Sequence, residues 1–249
     1  MADPHTLATT KHIIDRYAAI ASALPGGELP WLADRRKAGI ERFEAQGLPT
    51  RKLEEWKYTN LDELRRVPFE PAKPVANGIS TATLPTLVGA EHRLVFVNGH
   101  LRQDLCAICM PPEGATITSL GHALATMPEL VEAHLGSARA GENGEDAPFT
   151  ALNDAFLTDG LFLHLKPGVD LGSVIEVIHV SVGQSGPVFQ HPRNLIVAEA
   201  GAHATVLEHY IGFGQSPTLA NAATEVVLGE GAGVRHCKVQ AEAPEAFHI

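Results

Sequence analysis

The chain has 249 residues, 45% hydrophobic and only 19% charged, enough apolar material for one large domain or two small ones with a real core. Its formal charge of −10 is unevenly placed: residues 1–66 hold 11 Lys/Arg against 10 Asp/Glu, while residues 67–249 hold 8 against 19. This leaves no basic face for nucleic acid, no apolar run approaches the ~20 residues of a membrane span, and three cysteines are too few for a disulfide framework. With no signal-peptide h-region at its start, the chain is expected to be cytoplasmic.

In chain order, helical spacing begins at His12–Leu24, with Ile13, Tyr17 and Leu24 on one face, and Pro25-Gly26-Gly27 ends it. A second helix is expected from about Trp31 to Gln46, with Leu32, Arg36, Ile40 and Phe43 along one side and Gly47 as its C-terminal cap. Thr50–Arg66 reads as two short helical pieces, the second capped by Thr59 with Asp62 three residues on. Residues 1–68 are therefore a helical segment, and 69–90, rich in Pro, Ala and Thr, a connector. β structure starts at Leu94–Val97, and Asn98-Gly99 signals a hairpin turn. A helical insertion around 119–158 follows, containing a helix with Pro128 at its first position, a loop over Ser137–Pro148 and a helix over Phe149–Phe156.

From Leu161 onward the chain is a series of apolar, β-branched runs between turns: Val174–Val182, Asn194–Ala198, Thr205–Ile211, Thr224–Leu228 and Val234–Val239. Similar turns at Gly168, Gly201 and Gly231 recur after 33 and 30 residues, which suggests stacked repeats with φ > 0 glycines at the corners. Spacing alone leaves a β-solenoid and an ordinary β-sandwich both open.

Few residues suggest chemistry. Cys106 and Cys109 form a C-x-x-C, but no second pair completes a zinc set, and the flanking strand and Pro111-Pro112 do not offer a helix N-terminus to activate a thiol. A structural, buried role is expected for both, and for Cys237, which shares strand parity with Val239. His203, His209, His236 and His248 are scattered and expected on outer faces or turns. Neither a phosphate-binding glycine loop nor a G-x-S-x-G elbow is present, so no catalytic, cofactor-binding or metal-ligating residue is assigned.

The stretch from Gly47 to Leu61 resembles a signature near the start of SufD-type members of the SufB/SufD family, with Pro49, Arg51, Trp56, Lys57, Tyr58, Thr59 and Leu61 in register. Phe149, Leu152, Asn153, Ala155, Phe156, Asp159 and Gly160 resemble that family's entry to its core domain. His191-Pro192-Arg193-Asn194, Gly201-Ala202 and Glu208-His209-Tyr210 resemble its first core repeats.

The resemblance implies a mixed α and β, mainly β fold: the helical segment, then a right-handed parallel β-helix over 91–249, incomplete at its C-terminus. It implies a non-catalytic scaffold for iron–sulfur cluster assembly, working with SufB-like and SufC-like subunits, with ATP used by the SufC partner and no cofactor bound by this chain. Trp56 and Tyr58 are expected to pack the helical segment against the next layer. The cluster-ligating residues are expected beyond Ile249, and a chain ending in mid-repeat is expected to self-associate through its last rung. The alternative is a polysaccharide-active β-helix enzyme, which dispersed acids and few aromatics disfavour.

Overall fold

The computed structural model describes residues 4–85, 90–137 and 148–249. Among the described residues there are six α-helices: α1 (Pro4–Ile20), α2 (Pro30–Gln46), α3 (Asp62–Arg66), α4 (Leu120–Thr126), α5 (Pro128–His134) and α6 (Pro148–Phe156). On α2 the expected stripe is the buried one, Leu32, Arg36, Ile40 and Phe43, and Gly47 ends the helix at φ 65°. The Arg36 guanidinium is only 2% exposed and donates to the carbonyls of Pro25 at 2.6 Å and Leu157 at 3.0 Å, which ties α2 to the exit of α6. Thr59 is not the cap of α3. That position is Leu61, and Asn60 Oδ1 instead accepts from the Asp62 N–H at 2.9 Å.

Between α3 and α4 lie β1 (Glu70–Pro71), β2 (His92–Val97), β3 (His100–Leu101), β4 (Ala107–Ile108) and β5 (Ala115–Ser119). After α6 come β6 (Leu161–Leu165), β7 (Asp170–Val182), β8 (Val188–Gln190), β9 (Arg193–Ala198) and β10 (His203–Phe213). The last four are β11 (Thr218–Ala220), β12 (Ala223–Leu228), β13 (Gly233–Ala241) and β14 (Ala246–His248). They make three sheets with orders β1-β8-β11-β14, β13-β10-β7-β2-β3 (with β4 on β2) and β12-β9-β6-β5.

The expected right-handed parallel β-helix over 91–249 is corrected to this mixed α/β arrangement of several sheets. Asn98 (φ 52°) and Gly99 (φ 77°) reverse the chain, so β3 runs antiparallel to β2. β4 is also antiparallel to β2, as β5 is to β6, and helices α4–α6 occupy much of the segment between β5 and β6. The ~30-residue recurrence survives as parallel pairing: His203 of β10 lies beside Asp170 and Gly233, and Arg193 of β9 beside Ala223. The turns Gly168, Gly201 and Gly231 have φ of 74°, 68° and 69°, the left-handed region that only glycine enters at no steric cost.

Leu94, Phe96, Ile175, Val177 and Val206 of the six-stranded sheet face Leu161, Leu163 and Ile196 of the β6–β9 sheet, making one buried core. The outer face of the β6–β9 sheet is covered by Leu32 of α2 with Leu120, Leu124 and Val131 of α4 and α5. Helices α1, α2, α3 and α6 bury Ile13, Phe43, Leu64 and Phe156 against Phe189 and Leu219 of the third sheet. Leu84 and Leu105 cover Val95, Ile178 and Val180 on the outside of the six-stranded sheet. The expected loop over Ser137–Pro148 lies mostly outside the described residues. Among the described residues no helix is long and apolar enough to cross a membrane.

Candidate functional site

Two buried polar clusters stand out. The first joins α6 to the sheets. Asp154 is 1% exposed and meets Arg42 at 2.7 Å, Arg35 at 3.5 Å and Arg193 at 3.6 Å. The Arg193 guanidinium, equally buried, also holds Glu225 and donates to Asn153 Oδ1 at 2.9 Å. Asn153 Nδ2 then donates to the carbonyls of Pro192 (2.9 Å) and Asn221 (2.8 Å). Asp159 accepts from the N–H groups of Gly121 (2.7 Å) and Gly160 (2.8 Å), and burial pushes its pKa up to about 6. A Cβ on Gly160 would fall 2.1 Å from the Arg193 carbonyl oxygen, so only glycine lets these segments cross. The buried charges of Asp154, Arg193 and Glu225 are tolerated because they pair with one another, while Asp159 relies on backbone N–H donors.

The second cluster lies inside the strand stack, toward β13. In-register pairing aligns Phe96, His179 and Tyr210 on β2, β7 and β10. Their rings stack at 5.2 Å and 4.7 Å, with His248 edge-on to Tyr210 at 4.6 Å. One position before Tyr210 along the same face, Glu208 is 1% exposed. It accepts from Asn194 Nδ2, from Thr224 Oγ1 at 3.0 Å and from Tyr210 Oη at 3.2 Å, and pairs with His236 Nε2 at 3.2 Å. Burial opposes its ionisation, but the His236 hydrogen bond, the nearby imidazoles and Thr224 prevail and lower the pKa to about 2. The His236 pKa is raised, chiefly by that hydrogen bond. Burial lowers the His179 pKa to about 4, and burial together with Glu208 raises that of Tyr210 well above 10. Lys238 Nζ sits 4.7 Å over the Tyr210 ring, and His248 Nδ1 meets Glu242 at 2.7 Å. The cluster is thus a fixed carboxylate with one titrating imidazole beside it and a neutral phenol and imidazole behind. It can hold or pass a proton near neutral pH, but it offers no activated nucleophile. Among the described residues, no group of three or more His, Cys, Asp or Glu is placed to hold a metal ion.

Comparison with known proteins gives these clusters a context. Residues 7–177 match the model of the SufBD protein N-terminal region, and residues 179–249 match that of the SUF system FeS cluster assembly SufBD core domain. The chain belongs to the SufBD family. It is 29% identical over 233 residues to an iron-sulfur cluster assembly SufBD family protein of Synechocystis sp., covering 90% of this chain and 51% of that protein. It is 25% identical over 215 residues to the iron-sulfur cluster assembly protein SufD of Escherichia coli, covering 84% and 46%, and 23% identical over 215 residues to SufD of Bacillus subtilis, covering 84% and 48%. The chain therefore spans about half the length of these curated relatives. None of them is a polysaccharide-active enzyme, and that alternative falls away.

The residues that carried the SufBD resemblance separate into two kinds. Phe149, Asn153, Asp159, Gly160, His191, Arg193 and Asn194 converge on the α6 junction and are structural. Trp56 is partly buried with its ring 5.3 Å from Phe149, but Tyr58 is 90% exposed, so the expected packing of Tyr58 against the next layer is not found among the described residues. The expected burial of the thiols holds best for Cys106, whose Sγ accepts from the Val95 N–H at 3.3 Å and whose pKa burial raises. Cys109, which follows β4, and Cys237, on the edge strand β13, are exposed: among the described residues no further strand or helix covers those sheet margins. Of the histidines expected on outer faces, His203 is exposed, whereas His209 is buried and His236 and His248 belong to the Glu208 cluster or its rim. Sequence reasoning passed over Glu208 and His179 as site residues. The available signal was their register: the 31-residue offset that places Glu208 beside Val177 and Tyr210 beside His179 puts polar groups at otherwise apolar inward positions.

Proposed function

We propose that this chain acts as a scaffold subunit, or part of one, in the machinery that assembles iron–sulfur clusters. The observation that carries this reading is the consecutive match of the N-terminal-region and core-domain models, which together run from residue 7 to residue 249. In this reading the chain works in the cytoplasm with SufB-like and SufC-like subunits. ATP is hydrolysed by the SufC-like partner, and the cluster is cargo of the complex. The chain contributes shape and surface rather than a catalytic group, and it supplies no cluster ligand among its own residues. The helical segment 1–68 and the connector 69–90 are units of the same proposal.

The ion pairs of the junction and the hydrogen bonds around Glu208 suit a rigid framework, since buried networks of this kind favour one arrangement of helices on sheets. The test is co-expression with the SufB-like and SufC-like proteins of the same genome, followed by affinity purification and gel filtration. Co-elution at fixed stoichiometry, with iron–sulfur enzyme activities falling when the gene is deleted, is expected. A chain that neither co-purifies with those subunits nor affects those activities would overturn the proposal.

A further inference from the structure

Next to the α6 junction, a cavity of about 830 Å³ opens between the end of α1, the segment after β1, the Asn98–His100 turn and the loop that leads into β8. That volume lies within the range of sites that take small organic ligands. Ile20, Leu24, Phe156, Pro187 and Phe189 give it an apolar wall. Its charged groups are Arg16, Lys73 and Glu70. Arg16 lies 3.4 Å from Glu70, and Lys73 has no ion-pair partner among the described residues, which leaves one positive charge uncompensated. His100 and His191 also line the cavity. Burial lowers both pKa values, that of His191 to about 3, so neither adds charge near neutral pH.

One wall residue is incomplete. The Gln190 side chain is 5% exposed, and its Nε2 donates to Ser181 Oγ at 2.7 Å. Its Oε1 is buried without any hydrogen-bond partner. An unmade hydrogen bond at a buried amide oxygen is costly, and native proteins supply a donor for such groups. One water would satisfy it, but a water occupies only about 30 Å³ of a space this size.

We propose that this cavity is a binding site for a small amphipathic monoanion that carries an N–H or O–H donor. The apolar body lies on Ile20, Leu24 and Phe189, the anionic end meets Lys73 and Arg16, and the donor is taken by Gln190 Oε1.

The probe is 8-anilinonaphthalene-1-sulfonate, which has an aromatic body, one sulfonate and one anilino N–H. Titration of the folded protein, followed by fluorescence and calorimetry, is expected to show a single saturable site. Lys73→Glu should weaken it by about tenfold, while the control Lys166→Glu, which changes net charge equally at a distant exposed position, leaves it unchanged. Gln190→Leu should weaken the probe by about three- to tenfold but leave octanoate, an anion without such a donor, competing as before. Ala19→Trp should abolish binding by filling the cavity. Melting curves and near-UV circular dichroism confirm that each variant is folded, and if Ala19→Trp fails to fold, the lysine pair and octanoate competition decide. No saturable binding to the folded protein, equal effects of Lys73→Glu and Lys166→Glu, or a probe that octanoate does not displace would overturn the proposal.

Discussion

Replacing Glu208 by Gln removes one buried charge while keeping the side chain's shape, and its consequences follow from the surroundings of the carboxylate. Asn194, Thr224 and Tyr210 donate to it and His236 pairs with it at 3.2 Å. These partners outweigh burial and take its pKa from 4.5 to about 2. A carboxyl whose folded pKa is depressed contributes stability that is present above the unfolded value and is lost as pH falls through the folded one. At about 1.4 kcal/mol per tenfold change in proton affinity, that contribution is on the order of 3 kcal/mol, lost between about pH 4.5 and 2. His236 has the opposite sign. Its raised pKa contributes stability fully present below 6.5 and lost as pH rises through its folded value. The pair is therefore at full strength between about pH 4.5 and 6.5. Urea unfolding at pH 6, 4.5, 3 and 2 is expected to show the natural chain losing about 3 kcal/mol more than Glu208→Gln over the acid range. Histidine proton resonances should show the His236 pKa falling in the variant. Parallel pH profiles together with an unmoved His236 would refute the account of the cluster.

Two other expectations test the junction and the thiols. Gly160→Ala places a Cβ 2.1 Å from the Arg193 carbonyl oxygen and 2.7 Å from Asn194 Oδ1, so it should cost at least about 3 kcal/mol, whereas Gly186→Ala, with nothing within 4 Å, should be nearly neutral. Equal thermal shifts for the two would show that the crossing is looser than described. In native protein, an aromatic disulfide reagent should modify Cys109 and Cys237 quickly and Cys106 only after unfolding. Three equal native rates would contradict the burial of Cys106.

Much of the local structure was legible in the residues themselves. The α2 stripe, the Gly47 cap, the Asn98-Gly99 reversal and the glycine corners at Gly168, Gly201 and Gly231 are set by backbone sterics and side-chain spacing within a few residues, and each is found where expected. The long strands β7, β9, β10, β12 and β13 were legible for the same reason, whereas the three-residue strands β8, β11 and β14 were not. The motif residues around Asn153 and Arg193 were visible as a resemblance, but their convergence was not, because hydrogen bonds such as Arg193–Asn153 span 40 residues.

What only the tertiary structure decided is which positions are enclosed and by what. Strand parity correctly places Cys237 on one face with Val239, yet parity cannot say whether that face is covered. On β2 and β7 it is closed by Leu84 and Leu105, and on β13 it is open, so Val95 and Ile178 are buried and Cys237 is exposed. The same holds inside the stack, where Glu208 between Val177 and Lys238 reads locally as a surface carboxylate. It is buried because Asn194, Thr224, Tyr210 and His236 arrive from four separate positions to replace the water it gave up. The arrangement of strands into three sheets, two of them mixed and one parallel, was likewise beyond local reach, since the direction in which β6 meets β5 depends on where helices α4–α6 carry the chain before β6 begins. Spacing along a chain specifies turns and faces, while burial and charge compensation are set by contacts that only the folded molecule brings together.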